Sequence, residues 1–422
     1  MNRPKSSGRF VCFVAAVVLC LPSLRAAAQE PVTIEFWAES GWETWINPAI
    51  ERFEALNPGV DVDVVFSPAG PSEQFTVRAL GGTAPDVASI YPQRAGSVIT
   101  AGLVRPLEPF FEADPEVKLS DFVPSSYVPY QFEGHVYGLL HEISLINVAV
   151  NKGMIERAGL VNPRELGTDW TWERQMEYAR VLTQDVSGDG AVDQWGFSVH
   201  PTLQRFLILV HQAGGAIVDN PTAPSQSLWL DAPVRRTFEY LLEFYQRGLV
   251  STTRLGSGGN VAIDIGGNAI EALHMSEVDW DISHWAYGPA HNGVITSGTG
   301  FLMSKDTAHP QESWRLIRYL LTDREVFRLK MNFELNPSSY LPLISEFNLA
   351  NAPSYVPPHV MEIMREMVTH PALGIVPAFL TYSTVQSRFN AQWRDNVTTF
   401  QVPLERFLEE MHHETTVSLQ RE

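Results

Sequence analysis

The segment 134–160, GHVYGLLHEISLINVAVNKGMIERAGL, decides how the rest of the chain is arranged. It contains two apolar runs, and the polar residues His141, Glu142 and Ser144 lie where these runs meet. The β-branched run 143–150 predicts a strand that leads into a short helix. Polar side chains are costly to bury unless something forms hydrogen bonds with them. We therefore expect a ligand to bind at this segment, and we expect the chain to pass here from one lobe to another.

The first 28 residues have the features of a secretory signal peptide. Three basic residues come first, an apolar run over 10–21 follows, and small residues at 26–28 provide a cleavage site. The apolar run is too short to span a bilayer. The sequence therefore predicts a mature chain that begins near Gln29 and is periplasmic or extracytoplasmic.

Composition limits the classes of partner. Both cysteines, Cys12 and Cys20, lie in the predicted signal peptide, so the mature chain has no disulfide or thiol chemistry. The formal net charge is −18, and residues 1–28 carry four basic and no acidic residues, so the mature chain carries −22. This charge argues against nucleic acid or an anionic membrane surface as a partner. Roughly 390 mature residues suggest two domains, and we expect a monomer.

The first part of the mature chain predicts an α/β fold. Strands are predicted over 32–36, 60–64 and 87–90, and amphipathic helices over 45–56 and 72–80 lie between them. This alternation is typical of a parallel sheet. Ligands of such sheets bind beyond the carboxyl ends of the strands.

Several segments resemble one family in order and spacing. They are FEALNPGVDVDV (53–64), GTAPDV (82–87), the segment 134–160, TWE (171–173), DVSGDGAVDQWGF (185–197) and the strand-helix unit 300–321. The chain resembles the extracellular solute-binding proteins of bacterial ABC importers, in the sugar-binding group that includes maltose-binding protein. Leu140 and Val150 depart from the family pattern, which has proline and an aromatic residue there.

The resemblance implies a periplasmic-binding-protein type II-like fold, in which a hinge joins two α/β lobes and a ligand cleft lies between them. The first lobe would comprise residues 29–141 and 298–340, and the second lobe residues 142–297 and the helical 341–422. It also implies an ABC-transporter component that captures a sugar or oligosaccharide without chemistry. The liganded form would then deliver the sugar to a membrane permease.

The first lobe supplies the main candidate ligand contacts. They follow the first strand, the third strand and the crossover, and they are Glu39, Trp42, Glu43, Tyr91, Gln93, Arg94, Glu142 and Ser144. Glu142 is the leading candidate because the family's crossover presents polar side chains to the ligand. Alternatively, Trp42 covers the core, and Glu142 forms a buried ion pair with Arg94.

The second lobe and the hinge supply weaker candidates, namely His200, Gln204, Asn268, Trp280, Trp285, Tyr340 and Tyr382. A tryptophan in an extended run is also consistent with a core position. Aromatic faces match the CH groups of a pyranose, and carboxylates and amides match its hydroxyls. This set favours a neutral sugar over a phosphate or sulfate, which would require more cationic groups.

The loop 185–193 imitates the first part of a calcium-binding loop. Oxygen ligands would come from Asp185, Ser187, Asp189, the carbonyl of Ala191, and Asp193. Position twelve is Gly196 rather than the bidentate glutamate, so the loop is incomplete. The alternatives are therefore a structural calcium ion and a Gly/Asp-rich turn without metal, and no cofactor is required.

Two rival functions remain open on the sequence alone. An exported glycoside hydrolase would need two carboxylates about 5–10 Å apart, and the pairs available are Asp279 with Asp281 or Glu39 with Glu142. The sequence carries no zinc-protease, nucleophile-elbow or phosphate-loop motif. A binding protein that reports its ligand to a membrane receptor is the other alternative.

Overall fold

A computed structural model describes residues 1, 31–67, 71–251, 259–266, 273, 278–348 and 350–420, without the side chains of 71–73. The predicted signal peptide, apart from residue 1, and the candidate Asn268 lie outside the described residues. Among the residues that are described, no helix is both long enough and apolar enough to cross a membrane.

The strands and helices alternate through much of the chain. The strands are β1 Val32–Glu39, β2 Val60–Ser67, β3 Val87–Ile90, β4 Gln131–Phe132, β5 His135–Val136, β6 Gly138–Leu140, β7 Val148–Asn151, β8 Trp195–Val199, β9 Val250–Ser251, β10 Val261–Ile265, β11 Trp280–Ser283, β12 Ile295–Thr296, β13 Gly300–Met303 and β14 Gly374–Ile375. The longer helices are Glu43–Leu56, Pro71–Leu80, Pro92–Thr100, Trp172–Leu182, Leu203–Gln212, Ala232–Gln246, Pro310–Thr322, Arg324–Phe333, Pro358–Val368, Tyr382–Gln392 and Leu404–Leu419. Shorter helices are Glu108–Ala113, Pro124–Tyr127, Lys152–Arg157 and Leu341–Ile344.

The first sheet has the strand order β2-β1-β3-β13-β6. β1 pairs in parallel with both β2 and β3, which confirms the parallel arrangement predicted for these three strands. β13 is antiparallel to β3 and to β6, so the complete sheet is mixed. In β2, Val60 and Val62 are buried whereas Asp61 and Asp63 are exposed, because successive side chains point to opposite faces of a sheet.

The second sheet has the strand order β11-β7-β10-β8-β9. β8 is parallel to β10 and β9, whereas β7 runs antiparallel to β10 and β11. Every residue of β7 and β10 is buried, as expected where helices cover both faces of a sheet. Each sheet carries its own helices, so the fold has two α/β lobes as predicted.

Three segments of the described chain connect the sheets. Residues 141–147 join β6 to β7, residues 284–299 join β11 to β13, and residues from 334 onward lead from helix Arg324–Phe333 to helix Pro358–Val368 beside β11. The predicted lobe boundaries after 141 and after 297 fall within the first two of these segments.

The strand predicted over 143–150 is wrong in its first half, because β7 begins only at Val148. The residues before it bind the other crossing segments instead. The amide of Ile143 donates to the carbonyl of Pro337 at 2.9 Å. Ser144 and Ser297 form an isolated bridge, and the amide of Leu145 donates to the side chain of Asn336. The β-branched run therefore forms part of the hinge.

Two glycines allow close approach at the hinge and between the lobes. Gly298 has a φ of +136°, which side chains of L-residues rarely allow, and a Cβ there would lie 3.2 Å from the carbonyl oxygen of Glu142. Gly96, in the first lobe, lies against the backbone of Leu380 in the second, and a Cβ on Gly96 would lie 3.4 Å from the Cα of Leu380. The lobes thus meet through backbone atoms at this point.

Candidate functional site

A chamber of about 580 Å³ lies between the two lobes. Helix Pro92–Thr100 of the first lobe and helix Tyr382–Gln392 of the second face each other across it. The lining side chains are mainly hydroxyls and amides with one cation, and they are Thr76, Gln93, Arg94, Ser97, Leu380, Ser383, Thr384 and Ser387. This size and polarity suit a small polar ligand.

Local sequence explains why polar residues reach the first-lobe wall. β3 ends at Ile90, and Tyr91 follows in an extended conformation. Pro92 then occupies the first helical position, where its fixed φ and missing N–H are tolerated. Tyr91 and the first turn of the helix therefore lie at the carboxyl end of a sheet strand, as the sequence predicted.

Tyr91 and two of the predicted acidic residues lie close together beside this chamber. The hydroxyls of Tyr91 and Thr299 share a hydrogen bond. Burial of the hydroxyl raises the pKa of Tyr91, and the negative charges of Glu39, Glu334 and Glu142 raise it further. The Tyr91 side chain is nevertheless 41% exposed, so its ring is accessible from solvent.

Glu39 ends β1 beside this group. Its Oε1 is buried and accepts no hydrogen bond from any residue that the structure describes. Partial burial raises the pKa of Glu39, while the nearby Arg94 opposes that shift. A buried acceptor without a donor is costly, and a ligand hydroxyl could supply the missing donor.

Glu142 occupies the hinge and is only 5% exposed. Its Oε1 accepts a hydrogen bond of 3.2 Å from Nδ2 of Asn336. Burial raises the pKa of Glu142 well above its usual range, and neighbouring Glu334 adds to the shift. Lys330 lies near it and opposes the shift, whereas Arg94, which the sequence suggested as an alternative partner, acts on the pKa of Glu39. In this arrangement Glu142 ties the crossing segments together rather than presenting an open carboxylate to the chamber.

Lys330, in helix Arg324–Phe333, is itself buried. Its Nζ donates to the carbonyls of His141 and Leu320 at 3.2 and 3.0 Å, and it lies 5.0 Å from the ring centroid of Trp45. Burial lowers the pKa of Lys330 to about 8, against the attraction of Glu142 and Glu334. Burial and this cation lower the pKa of His141 well below its ordinary value.

Trp42 packs into the aromatic core of the first lobe. Its ring lies 4.6 Å from His141, 5.4 Å from Trp45 and 6.4 Å from Phe301, and only 6% of the residue is exposed. This arrangement matches the alternative in which Trp42 covers the core. Glu43 begins the adjacent helix and is half-buried.

The remaining first-lobe and hinge candidates are divided between the chamber and more distant positions. Gln93 and Arg94 line the chamber, and Nε2 of Gln93 donates to Oγ of Ser297 at 3.4 Å. Ser144 pairs with Ser297 in the hinge. Tyr340 packs against Phe122 instead, and its surroundings contain Asp121 and Arg318.

Most second-lobe candidates do not line the chamber. Trp280 and Trp285 are 5% and 2% exposed, and Nε1 of Trp285 donates to the carbonyl of Ile146. The core alternative therefore describes both tryptophans in this structure. His200 and Gln204 are half-buried near the start of helix Leu203–Gln212, and the buried Tyr382 begins the chamber-lining helix.

Sequence reasoning missed the hydroxyl-rich walls of the chamber. Ser383, Thr384 and Ser387 share one face of a helix because Ser387 lies four residues after Ser383 and three after Thr384. That spacing was the available signal. Glu334 was missed because it follows a helix by one residue, a position that carries no pattern of its own.

The sequence model of one protein family, described as bacterial extracellular solute-binding protein, matches residues 39–326, which is most of the chain. The chain belongs to this family. A comparison with curated proteins found no match.

Solved structures resemble this solute-binding protein over almost its whole length. An ABC substrate-binding protein from Listeria monocytogenes in complex with cycloalternan gives a TM-score of 0.78 at 17% identity, covering 93% of this chain and 100% of that one. The sugar-binding protein MalE from Xanthomonas citri gives 0.75 at 16% identity, covering 92% and 98%. A maltose/maltodextrin-binding domain from Bdellovibrio bacteriovorus bound to maltotriose gives 0.71 at 18% identity, covering 93% and 100%. At these identities the likeness establishes the fold. It is the type II periplasmic-binding-protein fold with two α/β lobes that the sequence predicted.

The calcium-like loop of this solute-binding protein closes on its own backbone. Asp185 accepts N–H groups of Gly188 and Gly190 at 2.7 Å, and Asp193 accepts those of Val186 and Ser187 at 2.7 and 2.9 Å. These bonds lower the pKa of both carboxyls. No group of three or more His, Cys, Asp or Glu residues in the described ranges could hold a metal ion. The carboxylates of Asp185 and Asp193 therefore hold the loop through hydrogen bonds to its own backbone.

The carboxylate pairs suggested for hydrolysis have other partners in this solute-binding protein. Asp281 is buried and accepts hydrogen bonds from Asn162 and Arg164 at 3.0 and 2.8 Å, and it also bonds His359. Asp279 forms an exposed ion pair with Lys152 at 2.7 Å. Glu142, the partner suggested for Glu39, is bound in the hinge.

Proposed function

We propose that this protein is the substrate-binding component of an ABC transporter and captures a sugar or oligosaccharide in the chamber between its lobes. The observation that carries the proposal is the chamber itself. Both lobes contribute hydroxyl groups to it, Gln93 of the first lobe adds an amide, and the accessible ring of Tyr91 lies beside it. Hydroxyls and amides both donate and accept, as sugar hydroxyls do. Sugars are bound in the similar structures from Listeria and Bdellovibrio.

The surroundings of the acidic side chains fit a protein that binds a sugar without catalysing a reaction on it. The pKa of Glu39 is raised, and its Oε1 accepts no hydrogen bond from the part of the chain that the structure describes, so it is suited to accept a hydrogen bond from a sugar hydroxyl. Release to a membrane permease would follow opening of the lobes about the three crossing segments, a hinge motion. The protein would act outside the cytoplasm, in agreement with the extracellular family to which it belongs. We propose that it does so as a monomer.

Calorimetry with a panel of mono- and oligosaccharides tests the proposal. We expect submillimolar binding of at least one sugar, with the sugar recovered unchanged. Ser387→Trp should block the chamber from the second lobe and abolish binding, whereas Ser345→Trp, on an exposed surface outside the chamber, should not. Turnover of a glycoside, or binding that Ser387→Trp leaves intact, would contradict the proposal.

A further inference from the structure

A second cavity, separate from the interlobe chamber, lies within the second lobe. Its volume is about 230 Å³, and it is bounded by the segment around Thr168, the segment 284–294 and the end of helix Pro358–Val368. None of its lining residues lines the chamber between the lobes. An engineered apolar cavity of about 150 Å³ is known to bind benzene, so this cavity has room for a substituted ring.

The cavity has aromatic and apolar walls. Trp285, Tyr287, Val294 and Met367 contribute to its lining. The Trp285 indole is held in place by its hydrogen bond of 2.7 Å to the carbonyl of Ile146. Fixed aromatic side chains favour a planar ring, because ring faces and edges pack against each other with defined geometry.

Two polar side chains of the lining have hydrogen-bonding capacity left. Oδ1 of Asn292 is buried and accepts no hydrogen bond from the residues that the structure describes. Nδ1 of His370 accepts the amide of Ala372 at 3.1 Å, so a neutral His370 carries its proton on Nε2 and can donate from there. The cavity therefore combines an acceptor with a donor.

The carboxylate in the lining, that of Glu366, already has a partner. Nε2 of His284 lies 2.8 Å from Oε2 of Glu366, and both residues belong to the lining. A charged ligand would have to compete with this pair, whereas a neutral ligand would not. Charge and polarity together favour an uncharged molecule.

We propose that this cavity binds a small neutral planar heterocycle that contains a cyclic amide. The amide N–H would donate to Oδ1 of Asn292, and its carbonyl would accept from Nε2 of His370. The ring would lie among the aromatic and apolar side chains. The ligand class follows from the donor-acceptor pair, which matches both polar atoms of an amide.

Uracil is a suitable probe, and 1,3-dimethyluracil is its matched control because it lacks both N–H donors. Ligand-observed NMR on the full chain should detect uracil binding, and dimethyluracil should bind at least about tenfold more weakly, since one lost hydrogen bond in a buried site costs on the order of 1–3 kcal/mol. Asn292→Leu should abolish uracil binding, whereas Asn332→Leu, on an exposed helix outside the cavity, should not.

Thr168→Trp provides a second variant, because Thr168 is an exposed residue of the lining and a larger side chain there should close the cavity without disturbing the core. We expect it to abolish uracil binding too. The proposal is overturned if uracil does not bind at concentrations on the order of 10 mM. Equal binding of both compounds, or uracil binding that survives Asn292→Leu and Thr168→Trp, would also overturn it.

Discussion

Nδ2 of Asn336 donates to Oε1 of Glu142 at 3.2 Å, and this bond joins the first and third segments that cross between the lobes. Oδ1 of the same asparagine accepts the amide of Leu145, so Asn336 binds the first segment at two points. The hinge is thus a hydrogen-bonded unit rather than three independent crossing segments. Oε1 of Glu142 is therefore occupied by a hydrogen bond within the hinge rather than by a ligand.

Glu142→Ala should therefore lower stability. The change removes the acceptor for Asn336 and one of the two acidic neighbours of the buried Lys330. Leaving a buried polar group such as the Asn336 amide without its hydrogen-bond partner costs about 1–3 kcal/mol. Urea unfolding measures this cost, and Glu43→Ala, at a half-buried helix start, should change the free energy of unfolding by much less. If Glu142→Ala lowered the free energy of unfolding as little as Glu43→Ala does, the structural role of Glu142 would be contradicted.

Trp42→Ala should also destabilise the first lobe. The tryptophan is 6% exposed and packs against His141 and Trp45, so truncation would leave a large cavity. Such truncations cost about 3–5 kcal/mol. Trp42→Phe retains much of the packing and should cost less. A melting temperature near that of the unchanged protein for Trp42→Ala would contradict the packing role.

Tyr91→Ala should weaken sugar binding without a comparable loss of stability. The ring is 41% exposed beside the chamber, so its removal opens no core cavity. Loss of one aromatic contact should reduce affinity about tenfold. Calorimetry gives the affinity and thermal unfolding the stability. Tyr355→Ala, at another partly exposed tyrosine, serves as the control, and a similar loss of affinity in both variants would refute a specific contact.

Two histidines in the second lobe, His291 and His370, should make stability depend on pH. The ring centroids of His211 and His291 lie 4.6 Å apart, and those of His291 and His370 lie 6.2 Å apart. Burial lowers the pKa of His291 and of His370, and the neighbouring histidine rings lower it further. Nδ1 of each of these two residues also accepts a backbone N–H, which protonation at that atom would break.

Because the folded pKa lies below the ordinary value of 6.5, the unfolded chain binds protons first as the pH falls. The stabilisation from the neutral rings is complete above about 6.5 and is lost as the pH drops from there through the folded pKa. The free energy of unfolding, measured by urea titration from neutral to mildly acidic pH, should decline over this range. His291→Gln should reduce the slope, and an unchanged slope would rule out this cause.

Removal of calcium ions by a chelator should leave the thermal stability of the protein unchanged. The carboxyls of Asp185 and Asp193 accept backbone N–H groups and hold the loop without an ion. Thermal unfolding with and without EDTA should therefore give the same melting temperature. A fall of several degrees that added calcium reverses would establish a structural calcium ion and a different loop geometry.

Local patterns predicted the fold well where a single element decides its own form. Alternation gave β1 and β2, and Pro310 marked the first residue of its helix. The pattern failed at 143–147, because those residues form hydrogen bonds with segments about 150–190 residues away, among them Ser297 and Asn336.

The site was predicted only in part for a related reason. Tyr91, Gln93 and Arg94 follow a strand end, and the structure places Gln93 and Arg94 in the lining of the chamber. The sequence cannot distinguish an aromatic side chain that faces a cleft from one that faces a core, since both lie near strand ends. Trp42, Trp280 and Trp285 are all core residues in the structure. The hydroxyl-rich wall came from a helix far along the chain, whose placement depends on the hinge.

A binding protein has a degree of lobe closure and a choice of ligand. The backbone contact between Gly96 and Leu380 affects the first of these without involving the side chains that decide the second. The distance to which the lobes close at this point depends on main-chain atoms and on the absence of a side chain at Gly96. The ligand is chosen by the side chains around it, including Ser97, Ser383 and Ser387. Substitutions among those side chains can therefore change which solute is held while the degree of closure stays the same.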